Sequence, residues 1–266
     1  MTKLIAEIGW NHMGDMVLAK EMISAAAEAG AEYAKFQTWS VSRLKPGPWD
    51  DDGRREIYVK AELTEEQHYE LKEYCDKKSI KFMSSVFSIP DAELLNKVMA
   101  DYVKIPSAES RNKNLLKYVN NNFKKVFIST GTSTFNEVKQ SKELLTDVEI
   151  ILLHCVSSYP CHLEDSNLPR IYHLKSISNN IGYSDHVQGI EAAKISLEFN
   201  LDVIEKHFTI DNDLPGRDNK FAILPNELKA LTNYINSRDT ALIDNGKDYL
   251  DSEKEVRDIY SGRFDN

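Results

Sequence analysis

Short apolar runs alternate with longer stretches of helical periodicity almost from one end of the chain to the other. The apolar runs predict strands at Leu4 to Ile8, Tyr33 to Gln37, Lys81 to Ser85, Tyr102 to Ile105, Lys125 to Ser129, Glu149 to His154, Asn180 to Tyr183 and Asp202 to Lys206. A short, nearly continuous apolar run bounded by turn residues is the pattern of a strand covered on both faces. Between the strands the pattern predicts helices. Met16 to Ala29 is rich in good helix formers and ends at Gly30, a natural C-cap. Thr64 opens TEEQ, whose Thr and Gln have capping-box spacing, and that helix should run to about Lys78. Further helices are expected at Pro90 to Met99, Asn112 to Asn121, Thr134 to Leu145, Leu168 to Ser176, Gly189 to Phe199 and Pro225 to Arg238.

Strict alternation of strand and helix points to a parallel sheet, and the eight units counted here are the number that closes a TIM barrel. The competing architecture is an open doubly wound sheet, but no GxGxxG follows the first strand and composition does not break near the middle. The expected fold is therefore α/β, a single TIM (β/α)8 barrel over residues 1–238 with a tail over 239–266. In the tail, Ser252 and Glu255 have capping-box spacing and predict one short charged helix, either packed or in contact with a partner.

Composition changes this picture little. The 266 residues are 41% hydrophobic and 28% charged, enough for a substantial core. A net charge of −9 argues against broad binding to nucleic acid or a membrane surface, though a local cluster of lysines and serines can still hold an anion. The chain has no apolar run of transmembrane length and no signal-peptide layout at its start, so the expected location is cytoplasmic. Cys75, Cys155 and Cys161 lack zinc-motif spacing and are odd in number, which fits small packing residues in a reducing compartment.

Barrel enzymes build their sites from the C-terminal ends of strands, so those positions carry the chemistry. Strand by strand they are Glu7, Asn11 and His12; Lys35 and Gln37; Ser84 and Ser85; Lys104, Ser107 and Glu109; Ser129, Thr130 and Gly131; His154, Ser157 and Tyr159; Ser184, Asp185 and His186; and Glu205 and His207. So many polar groups on apolar strands are unfavourable unless they meet partners or a ligand. Lys35 and Lys104, with Ser107, Ser129 and the STGTS turn, read as an anion cradle more readily than as solvated lysines. His186 and His207 end adjacent strands of the expected barrel, and two converging imidazoles suggest a metal. Asp185 and Glu205 beside them read either as carboxylates that orient the imidazoles or as barrel ion-pair residues. Glu7 either pairs with a lysine or works on a substrate hydroxyl or carbonyl. His12, His68, His162 and His173 have no metal spacing and read as surface or structural residues, and Trp10 as packing.

AEIGWNH at Ala6 to His12, AKFQT at Ala34 to Thr38, VKIPSAE at Val103 to Glu109, STG at Ser129 to Gly131, HCVSSYP at His154 to Pro160, GYSDH at Gly182 to His186 and EKHFT at Glu205 to Thr209 together resemble the sialic acid synthase family. That family comprises N-acetylneuraminate synthase and its legionaminate and pseudaminate relatives, which condense phosphoenolpyruvate with an open-chain amino sugar. The resemblance implies that Lys35, Ser85, Lys104, Ser107, Ser129, Ser157 and Ser184 hold phosphoenolpyruvate, although relatives often carry Asn at the position of Ser157. It implies that His186 and His207 ligate a divalent ion, typically manganese, magnesium or cobalt. It also places Glu7, Gln37, Tyr159 and Asp218 on the sugar and Glu109 near the reacting carbons. In the implied reaction the metal acts as a Lewis acid on the aldehyde while C3 of phosphoenolpyruvate attacks. Water then adds at C2, and phosphate leaves by C–O cleavage to give a nine-carbon 2-keto acid, with Glu7 or Glu109 handling protons.

The chain departs from the family pattern in two places. Where members usually have PGPDH, it has Pro215, Gly216, Arg217, Asp218 and Asn219. Typical members also continue into a C-terminal antifreeze-like domain that reaches over a partner subunit, whereas this chain stops at Asn266. Its partners are thus expected to be phosphoenolpyruvate and an amino sugar, with a homodimer or a separate protein supplying the lid. Two other readings stand beside this one. One is a synthase of a shorter 3-deoxy sugar acid, which would need an extra basic pocket for a sugar phosphate and has Arg217 and Lys220 as candidates. The other is a barrel that binds sugar or phosphate without turnover.

Overall fold

The computed structural model describes residues 1–98 and 101–264. Its centre is a closed barrel of eight parallel strands in sequence order: β1 Lys3–Gly9, β2 Tyr33–Thr38, β3 Lys81–Val86, β4 Tyr102–Ile105, β5 Lys125–Ser129, β6 Glu149–Cys155, β7 Ile181–Asp185 and β8 Val203–His207. Closure is made by β1 and β8, with Glu7 opposite His207. The helices are α1 Met16–Ala29, α2 Arg54–Ala61, α3 Glu65–Lys77, α4 Ile89–Lys97, α5 Lys113–Asn122, α6 Phe135–Glu143, α7 Arg170–Lys175, α8 Glu191–Ser196, α9 Pro225–Ala241 and α10 Lys254–Tyr260. The α/β barrel expected from the alternation is the fold observed.

Local chemistry fixes the helix ends where expected. Asp15 accepts from the amides of Val17 and Leu18 at the start of α1, and Gly30 ends that helix at φ 96°, a conformation strained for any residue with a Cβ. Thr64 and Gln67 form the anticipated capping box on α3, and Thr134 and Glu137 form another on α6. The expected helix from Gly189 starts later, at Glu191, and passes into a 3-10 turn at Leu197–Phe199 before left-handed Asn200 stops it. In the tail, Ser252 caps nothing. The Glu253 carboxylate instead accepts from the Leu250 amide, and a 3-10 turn at Asp251–Glu253 leads into α10. The expected end of the fourth helix at Met99 lies outside the described residues. Helix α2 was not anticipated, because its RREIYVKA sequence is charged on most sides and buries only Ala61.

Two apolar regions follow from the pleat. Outward-facing strand residues such as Ala34, Phe36, Val103 and Ile204 pack under the helices in the main core. Ile5, Tyr33, Met83, Phe127, Ile151, Leu153 and Val203 form a second cluster in the barrel interior. This plug closes the barrel toward the N-terminal ends of the strands, so an open cavity can exist only toward their C-terminal ends. No described helix is long and apolar enough to cross a membrane.

Three histidines are locked into this frame away from the cavity. His68 joins Thr38 Oγ1 at 2.8 Å to the Thr64 carbonyl at 2.7 Å, and His154 Nε2 bonds the Ser166 carbonyl at 2.7 Å. Burial holds His12 and His154 down at about 4, and His68 is lowered by the same cause. The sign of the linkage follows directly. Between about 4 and 6.5 the unfolded chain binds protons that the native state refuses, so these groups support stability above pH 6.5 and withdraw it as pH falls toward 4. We predict a loss on the order of 3 kcal/mol from His12 across that window. Urea unfolding at several pH values checks this. His12→Asn should flatten the acid limb, and an identical pH slope in the variant would contradict the assignment.

Candidate active site

Inward-facing residues one pleat above the apolar plug are polar or charged on nearly every strand, and they line a cavity of about 730 Å³ at the C-terminal mouth of the barrel. Glu7 follows Ile5, Lys35 follows Tyr33, Ser85 follows Met83, Ser129 follows Phe127, Cys155 follows Leu153, and Glu205 and His207 follow Val203. The period of two along each strand therefore sets a hydrophobic floor beneath a polar site.

The centre of the site is a buried quartet of charges. Glu205 Oε1 lies 3.0 Å from Lys104 Nζ, and its Oε2 lies 3.7 Å from Lys35 Nζ. Ser184 Oγ donates to Glu205 Oε1 at 2.9 Å. Lys35 also pairs with Glu7 Oε2 at 2.6 Å and donates to Ser85 Oγ at 2.9 Å, while Gln37 Nε2 donates to Glu7 Oε1 at 2.7 Å. Burial opposes ionisation of Glu205, but Lys104, Lys35 and Ser184 outweigh it and hold the carboxyl at about 2. The Glu7 carboxyl is pushed up by burial, which its contact with Lys35 only partly offsets. Burial likewise pulls the Lys104 ammonium down. Desolvating four charges in this way is weak support for stability, and an exchange of partners with an anionic ligand gives the arrangement a purpose.

Beside Lys104 is a group of small donors. Ser107, Ser129, Ser157 and Ser184 all line the cavity, and the buried Ser129 hydroxyl has no hydrogen-bond partner. Gly131 lies close beneath them, where an added Cβ would fall 2.4 Å from Ser157 Oγ and 2.7 Å from Ser107 Oγ. Only glycine leaves that floor open. Short hydroxyls around a bare backbone, next to a lysine, suit an anion with several oxygens.

His186 and His207 converge on the other wall, their ring centroids 5.4 Å apart, and Tyr159 covers them with its ring 4.2 Å from that of His186. His186 Nδ1 donates to the Val156 carbonyl at 2.7 Å, so Nε2 is the ring nitrogen left to reach a ligand. His207 Nδ1 is buried without a hydrogen-bond partner, and Asp218 Oδ2 lies 3.4 Å away. Burial above all keeps the His207 ring neutral, as a metal ligand must be. Among the described residues no group of three or more His, Cys, Asp or Glu side chains is placed to hold an ion. The donors available to a cation here are the two imidazoles, with the remaining positions left to substrate and water.

The expected sugar contacts Glu7, Gln37, Tyr159 and Asp218 all line the same cavity. Glu109 does not line it. Its carboxylate is turned away to accept from Asn112 Nδ2 at 2.9 Å, so a position near the reacting carbons is not observed. Asp185 does not orient His186 either. It binds Lys206 Nζ at 3.0 Å, the Tyr183 hydroxyl at 2.9 Å and the Val187 amide at 2.8 Å, on the outer face of β7. Glu205 takes the ion-pair reading, and the carboxylate beside His207 is Asp218. On β6 it is Cys155, not His154, that faces the cavity, with Sγ 3.5 Å from Ser107 Oγ. Trp10, Arg54 and Tyr58 also line the mouth. Strand parity could have found Cys155. No comparable pattern marks Arg54 and Tyr58, which arrive on α2.

The sequence profile of the NeuB family matches residues 22–247. N,N'-diacetyllegionaminic acid synthase of Campylobacter jejuni is 34% identical over 96% of this chain and 81% of its own length. Pseudaminic acid synthase of the same organism is 32% identical over 95% of this chain and 77% of its own. The crystal structure of N-acetylneuraminic acid synthetase from Leptospira borgpetersenii, in complex with citrate, superposes with a TM-score of 0.87 at 32% identity, covering 99% of this chain and 93% of that one.

Replacing Glu205 by Gln leaves Lys104 without a carboxylate partner in a buried setting, and removing one member of such a set destabilises by about 3 kcal/mol or more. Chemical denaturation of Glu205→Gln should show that loss. A midpoint equal to the parent's would mean that water, not Glu205, compensates the lysines.

Proposed function

The chain belongs to the NeuB family of synthases, and we propose that it condenses phosphoenolpyruvate with an open-chain N-acyl amino sugar of the mannosamine type, giving a nonulosonic acid and phosphate. The observation that carries this reading is the pairing, in one cavity, of a lysine and serine anion cradle with two converging imidazoles. Lys35, Lys104, Ser85, Ser107, Ser129, Ser157 and Ser184 would hold the carboxylate and phosphate of phosphoenolpyruvate. Lys104 and Lys35 give up part of their contact with Glu205 and Glu7 to do so, and the unpartnered Ser129 hydroxyl gains an acceptor.

The acceptor lies between the imidazole wall and Glu7, Gln37, Tyr159 and Asp218. His186 and His207 would hold a divalent cation, manganese in the first instance with magnesium or cobalt as alternatives, and that ion would supply Lewis acidity toward the aldehyde oxygen. The C3–C1 bond forms as the enol phosphate attacks the aldehyde through C3, and the aldehyde oxygen takes up a proton. Glu7, raised by burial and within reach of Lys35, is suited to deliver it. Water adds its hydroxyl to C2 and releases a proton, and the C2–O bond then breaks, so the bridging oxygen leaves with phosphate. The lysine and serine donors follow the negative charge as it gathers on the departing phosphate.

The test is incubation of the protein with phosphoenolpyruvate, manganese and a panel of mannosamine-type and bacillosamine-derived sugars, following phosphate release and product mass. We expect sugar-dependent release, with oxygen-18 from the bridging position of phosphoenolpyruvate recovered in phosphate. His186→Ala should lower turnover by at least a hundredfold with an unchanged circular-dichroism spectrum. Full activity of that variant would remove the imidazole pair from the reaction, and no release with any sugar would refute the proposed condensation.

A further inference from the structure

The outer rim of the cavity has a charge pattern that the condensation does not use. Arg54 at the start of α2, and Arg217 and Lys220 in the loop after β8, line the same cavity as the inner quartet. Arg54 Nη2 lies 2.7 Å from Asp52 Oδ2, and Arg217 Nη1 lies 4.0 Å from that same oxygen. Among the described residues no ion pair or side-chain hydrogen bond engages Lys220. Two of these cations thus share one carboxylate and Lys220 pairs with none among the described residues, while the inner lysines are already matched by Glu7 and Glu205. The third carboxylate of the cavity, Asp218, is directed toward His207. Asp52 and Arg217 are both substantially exposed, so their contact is easily exchanged.

We propose that Arg54, Arg217 and Lys220 form a specificity subsite for an anionic group, phosphate or carboxylate, on the end of the sugar acceptor remote from its aldehyde. The inference rests on the condensation reading above and deepens it. The Asp52 oxygen shared by two guanidinium groups marks where an oxygen of that anion would sit, and Asp52 swings to solvent when it is displaced. Trp10 and Tyr58, with ring centroids 5.1 Å apart, line the cavity with these cations and present apolar faces to the sugar carbons. The acceptor is then read at both ends, with the aldehyde at the imidazole wall and the charge at the rim. Two guanidinium groups around one oxygen suit an anion that can accept several charge-assisted hydrogen bonds.

The experiment compares N-acetylmannosamine, its 6-phosphate and the corresponding 6-carboxylate, first as binding probes by titration calorimetry and then as acceptors with phosphoenolpyruvate and manganese. The full chain should bind a charged sugar at least about tenfold more tightly than the uncharged one, and the phosphate and carboxylate arms tell the two anions apart. Arg217→Gln and Lys220→Gln should each shrink that ratio severalfold through KM and not kcat, with Arg217→Lys restoring part of it. Equal binding of charged and uncharged sugars, or a preference untouched by both variants, would overturn the subsite. If no sugar is turned over but the charged probes still bind through Arg217, the condensation reading fails and the subsite stands.

Discussion

The carboxylate of Glu205 is the constraint on which the site depends. It lies inside the barrel among groups that burial would otherwise neutralise, and it stays ionised because Lys104 and Lys35 approach it from two other strands and Ser184 donates from a third. Glu205, on β8, is thus the common counter-ion of the lysines on β2 and β4. Without it, Lys104 would have either to shed its proton or to draw water into the barrel. With it, both lysines keep a carboxylate partner and stay close together, in a position that a strongly anionic ligand could share.

The rest of the fold serves that arrangement. Eight strands supply inward positions in layers, the lower layer apolar and the upper polar, so the charges sit at a fixed depth above a dry plug. The parallel register brings Glu7 opposite both Lys35 and His207, and Ser184 opposite both Cys155 and Glu205. Gly131 keeps the serine cradle open, and Tyr159 shelters the imidazoles. The imidazole pair and the lysine and serine group therefore share one cavity because strands far apart in sequence end at the same height.

Much of this is legible in the chain itself. The alternation of short apolar runs with helices carries the barrel, since each strand is covered on both faces and α1, α3, α5 and α6 start at Asp, Thr or Asn caps. The strand-end lysines, serines and histidines stand out because polar groups on apolar strands need partners. What the sequence leaves open is direction. Asp185 and His154 are beside site residues in sequence but point outward, whereas Glu205 and Cys155 point in. Glu109 occupies a strand end, yet a neighbouring Asn112 amide captures its carboxylate. Helix α2 escapes notice because it is polar, and its contributions to the cavity, Arg54 and Tyr58, depend on how a long excursion folds back over the mouth.

The rim and the quartet differ in kind: the inner charges are buried and matched, and the outer ones are exposed with cations in excess. That difference separates a subsite that must bind one anion for chemistry from one that selects among acceptors. The central claim concerns the inner one. A crystal structure with phosphoenolpyruvate and manganese tests it most directly. The account requires Lys35 and Lys104 within hydrogen-bond distance of the ligand, the Ser129 hydroxyl engaged by a phosphate oxygen, and the ion on His186 and His207. A ligand bound elsewhere, with both lysines still closed on Glu7 and Glu205 and Ser129 still unpartnered, would contradict it.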